Sequence, residues 1–431
     1  MHNPLRPAKA RHCAWQWPLL FFFGSSLNVQ AQTLFNVDVG YEAEGTDNVG
    51  RDSNNTRHDL IHRPFLTVGY AQQLGRVDLS SNYRFEARRY QRSSFDGDEV
   101  LVGASAANVS LIPGRLSWLT DHVRAETLVD RRDADRPDNR RESDTLGTGL
   151  TWRLGAASPN QLLLSGRAEL FDSNRGFDDS KRYSGAADYR RRVSQVQGIG
   201  LRSSILAVDY DEDRVPDFDR WSVLASFDQE LRRTGLDIGV GYNEVRRSGL
   251  DSRGGLAISA SGYFEPASGQ RLTLSVEREF TDRSLQMRGI PEFGEDREQD
   301  SADGNVFEVT RFGLDYSYLR ERWSIGASVA AIEEDYDLVL RDSRRTQATM
   351  TAGYRMAPAV TMDISLRGQR REFTDENRTD DLYALDVRWV WQILPTTAVS
   401  LGVGYEERDS NAGGRSYDER RVVFTVRHRL R

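Results

Sequence analysis

Between residues 381 and 407 every second side chain is apolar. Tyr383, Leu385, Val387, Trp389 and Trp391 alternate with Ala384, Asp386, Arg388, Val390 and Gln392; residues 394–397 break the run around Pro395, and Val399, Leu401, Val403 and Tyr405 resume it. A helix would need apolar residues three and four apart, so strict period two predicts two strands joined by a tight turn. The same unit recurs back to residue 33, giving about twenty strand candidates, with eighteen the main alternative because weak strands are easily miscounted. No linker or change of composition divides the 431 residues, so one large all-β unit is expected rather than two or three domains.

The connections alternate short and long. Short ones fall at 112–114, 157–160, 233–235, 266–269, 357–358 and 394–397; long, charged ones at 44–59, 130–143, 172–181, 211–220, 281–305 and 409–418. This asymmetry predicts a single transmembrane antiparallel up-and-down β-barrel, with short periplasmic turns and longer extracellular loops. Charged residues make up 29% of the chain and mean hydropathy is -0.61. Neither value opposes a barrel that shows lipid only one face of each strand. A soluble propeller or stacked sandwich would bury both faces of its sheets and would not place aromatics at both strand ends. Here Trp118, Trp152, Trp323, Trp389 and Trp391 lie near short turns, while Tyr90, Phe171, Tyr210, Tyr242, Phe280, Phe373 and Tyr405 lie where strands enter long loops. Two aromatic belts at the membrane interfaces are the expectation.

Residues 1–31 read as a cleaved secretory signal peptide: Arg6, Lys9 and Arg11 precede an apolar core at 19–23, and Val29-Gln30-Ala31 forms a small-residue cleavage signal. The apolar run is shorter than the roughly 20 residues a spanning helix needs. The barrel is expected over 32–431. Loss of the leader removes Cys13, the only cysteine, together with three positive charges from a net of -7, leaving -10. A nucleic-acid partner is disfavoured, and no disulfide supports the mature chain.

If apolar faces meet lipid, the alternate residues line a lumen. One strand contributes Asp78, Asn82, Arg84, Glu86 and Arg88, another Ser165, Arg167 and Glu169, and the next Asp188, Arg190 and Arg192. Later strands add Glu277, Glu279, Arg355, Asp363 and Arg367, then Asp386, Arg388 and Arg427. Strands 116–129 and 199–210 have ambiguous parity and yield no assignment. The lumen is zwitterionic and its cations are arginines, since only Lys9 and Lys181 are lysines. Guanidinium groups bind carboxylates bidentately, so Arg–carboxylate ladders between adjacent strands are expected.

Catalytic and metal chemistry find little support. His58, His62, His122 and His428 are scattered; a metal would need 58 and 62 on one helix with a third ligand, and this stretch reads as loop running into strand. No serine or acid is placed beside a histidine by spacing alone. Asp209, Asp211 and Asp213 alternate but lack the glycine and the glutamate of a calcium loop. They read as a solvated acidic loop that divalent ions could bridge to lipopolysaccharide. No cofactor, metal or enzymatic activity is expected.

Residues 357–375, with Val360-Thr361-Met362-Asp363-Ile364-Ser365-Leu366-Arg367, and residues 399–409, with Gly404-Tyr405-Glu406-Glu407-Arg408-Asp409, resemble outer-membrane β-barrel porins, in particular the EpsL-like group of exopolysaccharide and exosortase-linked clusters. The resemblance covers most of 33–431. It implies an integral outer-membrane channel, inserted by the barrel-assembly machinery among outer-membrane lipid and lipopolysaccharide. Its implied work is export of a polysaccharide substrate with periplasmic export components. The terminal strand departs from the usual ending: His428 interrupts the alternation of Val422, Phe424, Val426 and Leu430, and Arg431 stands where an aromatic is common. A general diffusion porin and a non-transporting structural protein are the alternatives. A porin should fold a loop inward, and 281–305, the longest connection, is the expected one.

Overall fold

The computed structural model describes residues 33–130, 132–175, 179–212, 215–282, 306–336 and 342–430. The expected leader and most of the 281–305 connection lie outside the described residues. Period-two alternation becomes twenty strands. They are β1 Thr33–Thr46, β2 Asp59–Leu74, β3 Val77–Tyr90, β4 Asp98–Ile112, β5 Leu116–Leu128, β6 Arg140–Leu154 and β7 Asn160–Ser173. Next come β8 Ser180–Arg192, β9 Gln197–Tyr210, β10 Phe218–Glu230, β11 Thr234–Arg247, β12 Arg253–Phe264, β13 Gln270–Asp282 and β14 Val306–Leu319. The set closes with β15 Trp323–Tyr336, β16 Ser343–Ala357, β17 Val360–Phe373, β18 Arg378–Leu394, β19 Thr397–Ser410 and β20 Tyr417–Arg429.

Each strand pairs antiparallel with its neighbours in sequence, and β1 pairs with β20, so the sheet closes on itself. Closure leaves the ring without a free edge, the condition for strands to cross hydrocarbon. The registers carry one parity around the circle. Val39 lies beside Leu66, Leu66 beside Phe85 and Phe85 beside Leu101, and Leu366, Leu385, Tyr405 and Phe424 continue the outward set on the far side. Short turns use glycine where φ must be positive: Gly114 has φ 70° in the turn that Arg115 closes by donating to Ile112 O at 2.9 Å.

Two hairpins leave the wall at their long-loop ends. The β4–β5 ladder stops at Gly103 and Arg124 although both strands run on, and the β12–β13 ladder stops at Ile258 and Arg278. Above those points β5–β6 and β13–β14 turn inward. Their nominally outward residues then meet the interior: Glu126 reaches Arg88 on β3, and Phe280 packs with Leu206, Val208, Tyr210, Phe218, Val245 and Val306. These inward turns give the long-loop end a packed apolar lining that a purely watery lumen would lack.

Candidate functional site: the charged interior and its capped mouth

The interior carries Arg–carboxylate pairs along and between strands. Arg84 and Arg88 both hold Glu86, at 2.7 and 2.9 Å, and Arg167 holds Glu169 at 2.6 Å. Arg311 meets Glu277 at 3.2 Å, Arg220 meets Glu279 at 3.4 Å, and Arg202 lies 3.9 Å from Asp188. Asp363 and Arg388 are register partners, and Arg367 is buried on the inner face above them. Arg192 and Arg355 share the inward parity at the short-turn end.

A second kind of pair skips a strand. Arg167 on β7 donates twice to Asp121 on β5, Arg190 on β8 to Asp228 on β10, and Arg421 on β20 to Asp386 on β18. In these three the intervening strand presents glycine, whereas Arg202 on β9 reaches Asp237 on β11 at 2.6 Å across β10, which has none. A Cβ would fall 2.0 Å from Arg167 Nη2 at Gly147, 2.7 Å from Arg190 Nε at Gly198, and 2.5 Å from Arg421 Nε at Gly404. At those three positions the missing side chain leaves the room that the bridging arginine occupies. Period-two reading places the charged partners on one face but does not show that they join over a glycine.

At the long-loop end, described segments far apart around the ring meet one another. Residues 129–130 and 132–139, held by Asn139 donating to Asp130 O at 2.7 Å and Ala134 O at 3.0 Å, cross the opening. The carbonyl of Arg132 accepts from Arg378, from Arg408 at 3.0 Å and from Arg415 at 3.0 Å, while its guanidinium meets Glu376 at 3.0 Å. Arg51, from the β1–β2 loop, binds Glu419 at 3.0 Å and Glu406 at 3.3 Å and lies 3.9 Å from Asp135, which Arg140 holds at 2.6 Å. Burial works against the Arg51 charge, but Glu406, Tyr417, Glu419 and Asp135 outweigh it and push the guanidinium well above its ordinary pKa. Most of 281–305, where the expectation fell, lies outside the described residues; among those described, the segment that reaches across the opening is 129–139 apart from 131. Its partners are hundreds of residues away in sequence, and nothing local distinguishes it from a solvated loop.

The aromatic assignments divide. Trp118, Trp152 and Trp323 are exposed on the outer wall near short turns, with Trp389 and Trp391 on the same face of β18. Tyr242 and Tyr405 face outward at the other end. Phe171, Tyr210, Phe280 and Phe373, and with them Tyr90, are instead buried inside, at 2 to 9% exposure. This corrects the outer belt. The interior near the long loops is packed, and these rings fill it: Phe373 lies under the guanidinium of Arg378 at 4.2 Å and that of Arg371 at 5.0 Å, and Phe171 under Arg182 at 5.8 Å.

Residues 301–430 match the family described as "Putative beta-barrel porin 2". The structure is similar to the FrpB iron transporter of Neisseria meningitidis, with 11% identity, TM-score 0.50 and coverage of 92% of this chain and 82% of that one. It is also similar to a mutant of the ferric enterobactin receptor PfeA of Pseudomonas aeruginosa, with 8% identity, TM-score 0.52 and coverage of 91% and 80%. At such identities the likeness is one of fold: a closed antiparallel barrel of the outer-membrane kind. No curated protein matches the sequence.

Proposed function

We propose that the protein is an outer-membrane channel for small hydrophilic solutes, with the short turns in the periplasm and the capped mouth outside. The observation that carries this reading is the inward segment 132–139, tied by Arg132 to Glu376, Arg378, Arg408 and Arg415 across the opening. A narrowed, charge-lined mouth suits selection of small solutes by size, and the near balance of Arg and carboxylate leaves weak charge selectivity. Export of an exopolysaccharide rests on the resemblance of the hairpin segments, and it requires the cap to move aside for an extended sugar chain. The matched porin family supports a channel and leaves the cargo open.

The test is single-channel recording in planar bilayers, with and without residues 131–138, beside a deletion strain assayed for surface polysaccharide. The diffusion reading expects steady small-ion conductance that rises when the segment is removed, and unchanged polysaccharide. No conductance in either protein, together with lost surface polysaccharide, would replace it by export.

A further inference from the structure

Averaged over the inner wall the two signs nearly cancel, but the last inward rung at the short-turn end is rich in arginine. Arg153 follows Gly149 and Thr151 on the inward face of β6, Arg192 follows Asp188 and Arg190 on β8, and Arg427 of β20 lies between Gly40 of β1 and Ala398 of β19. Arg192 and Arg427 are exposed and Arg153 is half-buried. Among the described residues none of the three makes an ion pair. The short turns themselves add Arg76, Arg115, Arg232, Arg233, Arg320 and Arg322, all exposed. Carboxylates at this level are mostly engaged. Asp38 meets Arg429 at 3.3 Å, Glu265 faces Arg271 at 3.8 Å, Glu230 accepts from the Tyr263 hydroxyl, and Asp188, level with Arg153 across Leu163, lies 3.9 Å from Arg202. Asp78 and Glu321 remain to oppose the open arginines. The long-loop end differs: there Arg88 and Arg378 are buried and held by Glu86 and Asp380.

A guanidinium committed to a carboxylate ties strands together and leaves little net field, whereas a ring of open cations around a mouth raises the local concentration of anions. Lipid headgroups account for an outward arginine such as Arg191, which shares the parity of Tyr189 and stands beside Ile199. They do not account for Arg153, Arg192 and Arg427, which face the lumen. Charged rings set selectivity where one sign dominates, whatever the average along the rest of the wall. We propose that the short-turn mouth is an anion-collecting vestibule and that the solutes of the channel are small anions. This rests on the channel reading above and narrows its solute class. Salt screens such a ring, with a Debye length of about 10 Å at 0.1 M and about 3 Å at 1 M. Weak selectivity therefore belongs to concentrated salt, and anion preference to dilute salt.

Thr361 is the inward register partner of Arg355 at this mouth, so Thr361→Cys in a Cys13→Ser background places a single thiol there. In detergent micelles, where both ends are open, that thiol is reacted with a sulfonate-bearing and with a trimethylammonium-bearing methanethiosulfonate, each rate divided by the same reagent's rate with free cysteine. The anionic reagent should react faster in dilute KCl. Its advantage should vanish in concentrated KCl, and also when Arg153→Gln, Arg192→Gln and Arg427→Gln are combined in a barrel whose heat-modifiable gel migration persists. In planar bilayers under dilute KCl gradients, reversal potentials should show chloride preferred over potassium, and the combined variant should lose that preference. Equal normalised rates, a faster cationic reagent, or an unselective conductance in dilute salt overturns the proposal. Absence of any conductance would instead sink the channel reading, and the reagent rates would then still decide whether the mouth collects anions.

Discussion

Arg167 on β7 and Asp121 on β5 are joined by two hydrogen bonds, 2.7 and 2.8 Å long, that pass over Gly147 of the strand between them. The strand-skipping pair ties three strands with one side chain, so its loss is felt beyond a single ladder. Gly147→Val places carbon where the guanidinium lies and should break the bridge at a cost of about 1.5 to 3 kcal/mol, the range for hydrogen bonds to charged groups. A double-mutant cycle with Arg167→Gln checks this. Once the bridge is gone the second change should add little, and full additivity would show that the glycine serves some other purpose.

Arg88 holds Glu86 and Glu126 together where β5–β6 turns inward, with its side chain 4% exposed. Arg88→Ala leaves both carboxylates without their shared cation in a closed setting and should destabilise the barrel by about 3 to 5 kcal/mol. Replacing Arg88 and Glu126 together by Met should cost much less. Urea midpoints in detergent measure the contrast, and equal losses would place the pair in solvent.

Lipid-facing and interior substitutions should separate cleanly. Val387 and Leu401 lie on the outer face of β18 and β19, so an arginine at either position should cost about 2 to 4 kcal/mol near the midplane. Arg388→Gln, on the opposite face of the same strand, should change stability little. Refolding titrations into lipid vesicles report both, and similar costs for the two classes would reverse the assigned faces.

The β1–β2 loop carries a pH-sensitive turn. Backbone N–H groups of Asn54 and Asn55 donate to the Asp52 carboxylate at 2.8 and 3.2 Å and hold its pKa below the ordinary value. A depressed folded-state pKa means that the turn's stabilisation is present above the ordinary aspartate value of about 3.9 and is lost as pH falls through the lowered one. Amide exchange at Asn54 and Asn55 should therefore accelerate beyond its intrinsic pH trend only in that acid range. Asp52→Asn should abolish the step, and the same step in the variant would assign it elsewhere.

Strand number and pairing are legible because a wall between lipid and water enforces alternation. Legibility failed where that contrast is absent. On β5 the outward Thr120, His122 and Arg124 are polar while the inward Val123 and Ala125 are buried, and on β9 the inward Leu206 and Val208 are apolar. Both strands therefore read as ambiguous. The sequence puts Phe171 and Phe373 in an outer belt for the same reason: an aromatic near a long loop fits an interface or a packed interior equally well. The cap was illegible for another reason. Arg132 meets Glu376, and Arg51 meets Glu419, through separations that no local pattern records.

The ladder between β1 and β20, from Asp38 beside Arg429 to Thr46 beside Arg421, has a kinetic consequence. It joins segments such as Asp38 and Arg429, 391 residues apart in sequence, so the slowest contact to form is also the one that removes the last two unpaired edges. Until β20 arrives, the chain is an open sheet able to pair with any other strand it meets. Escorting that unfinished sheet past its neighbours, more than stabilising the finished cylinder, is the task this architecture hands to whatever inserts it.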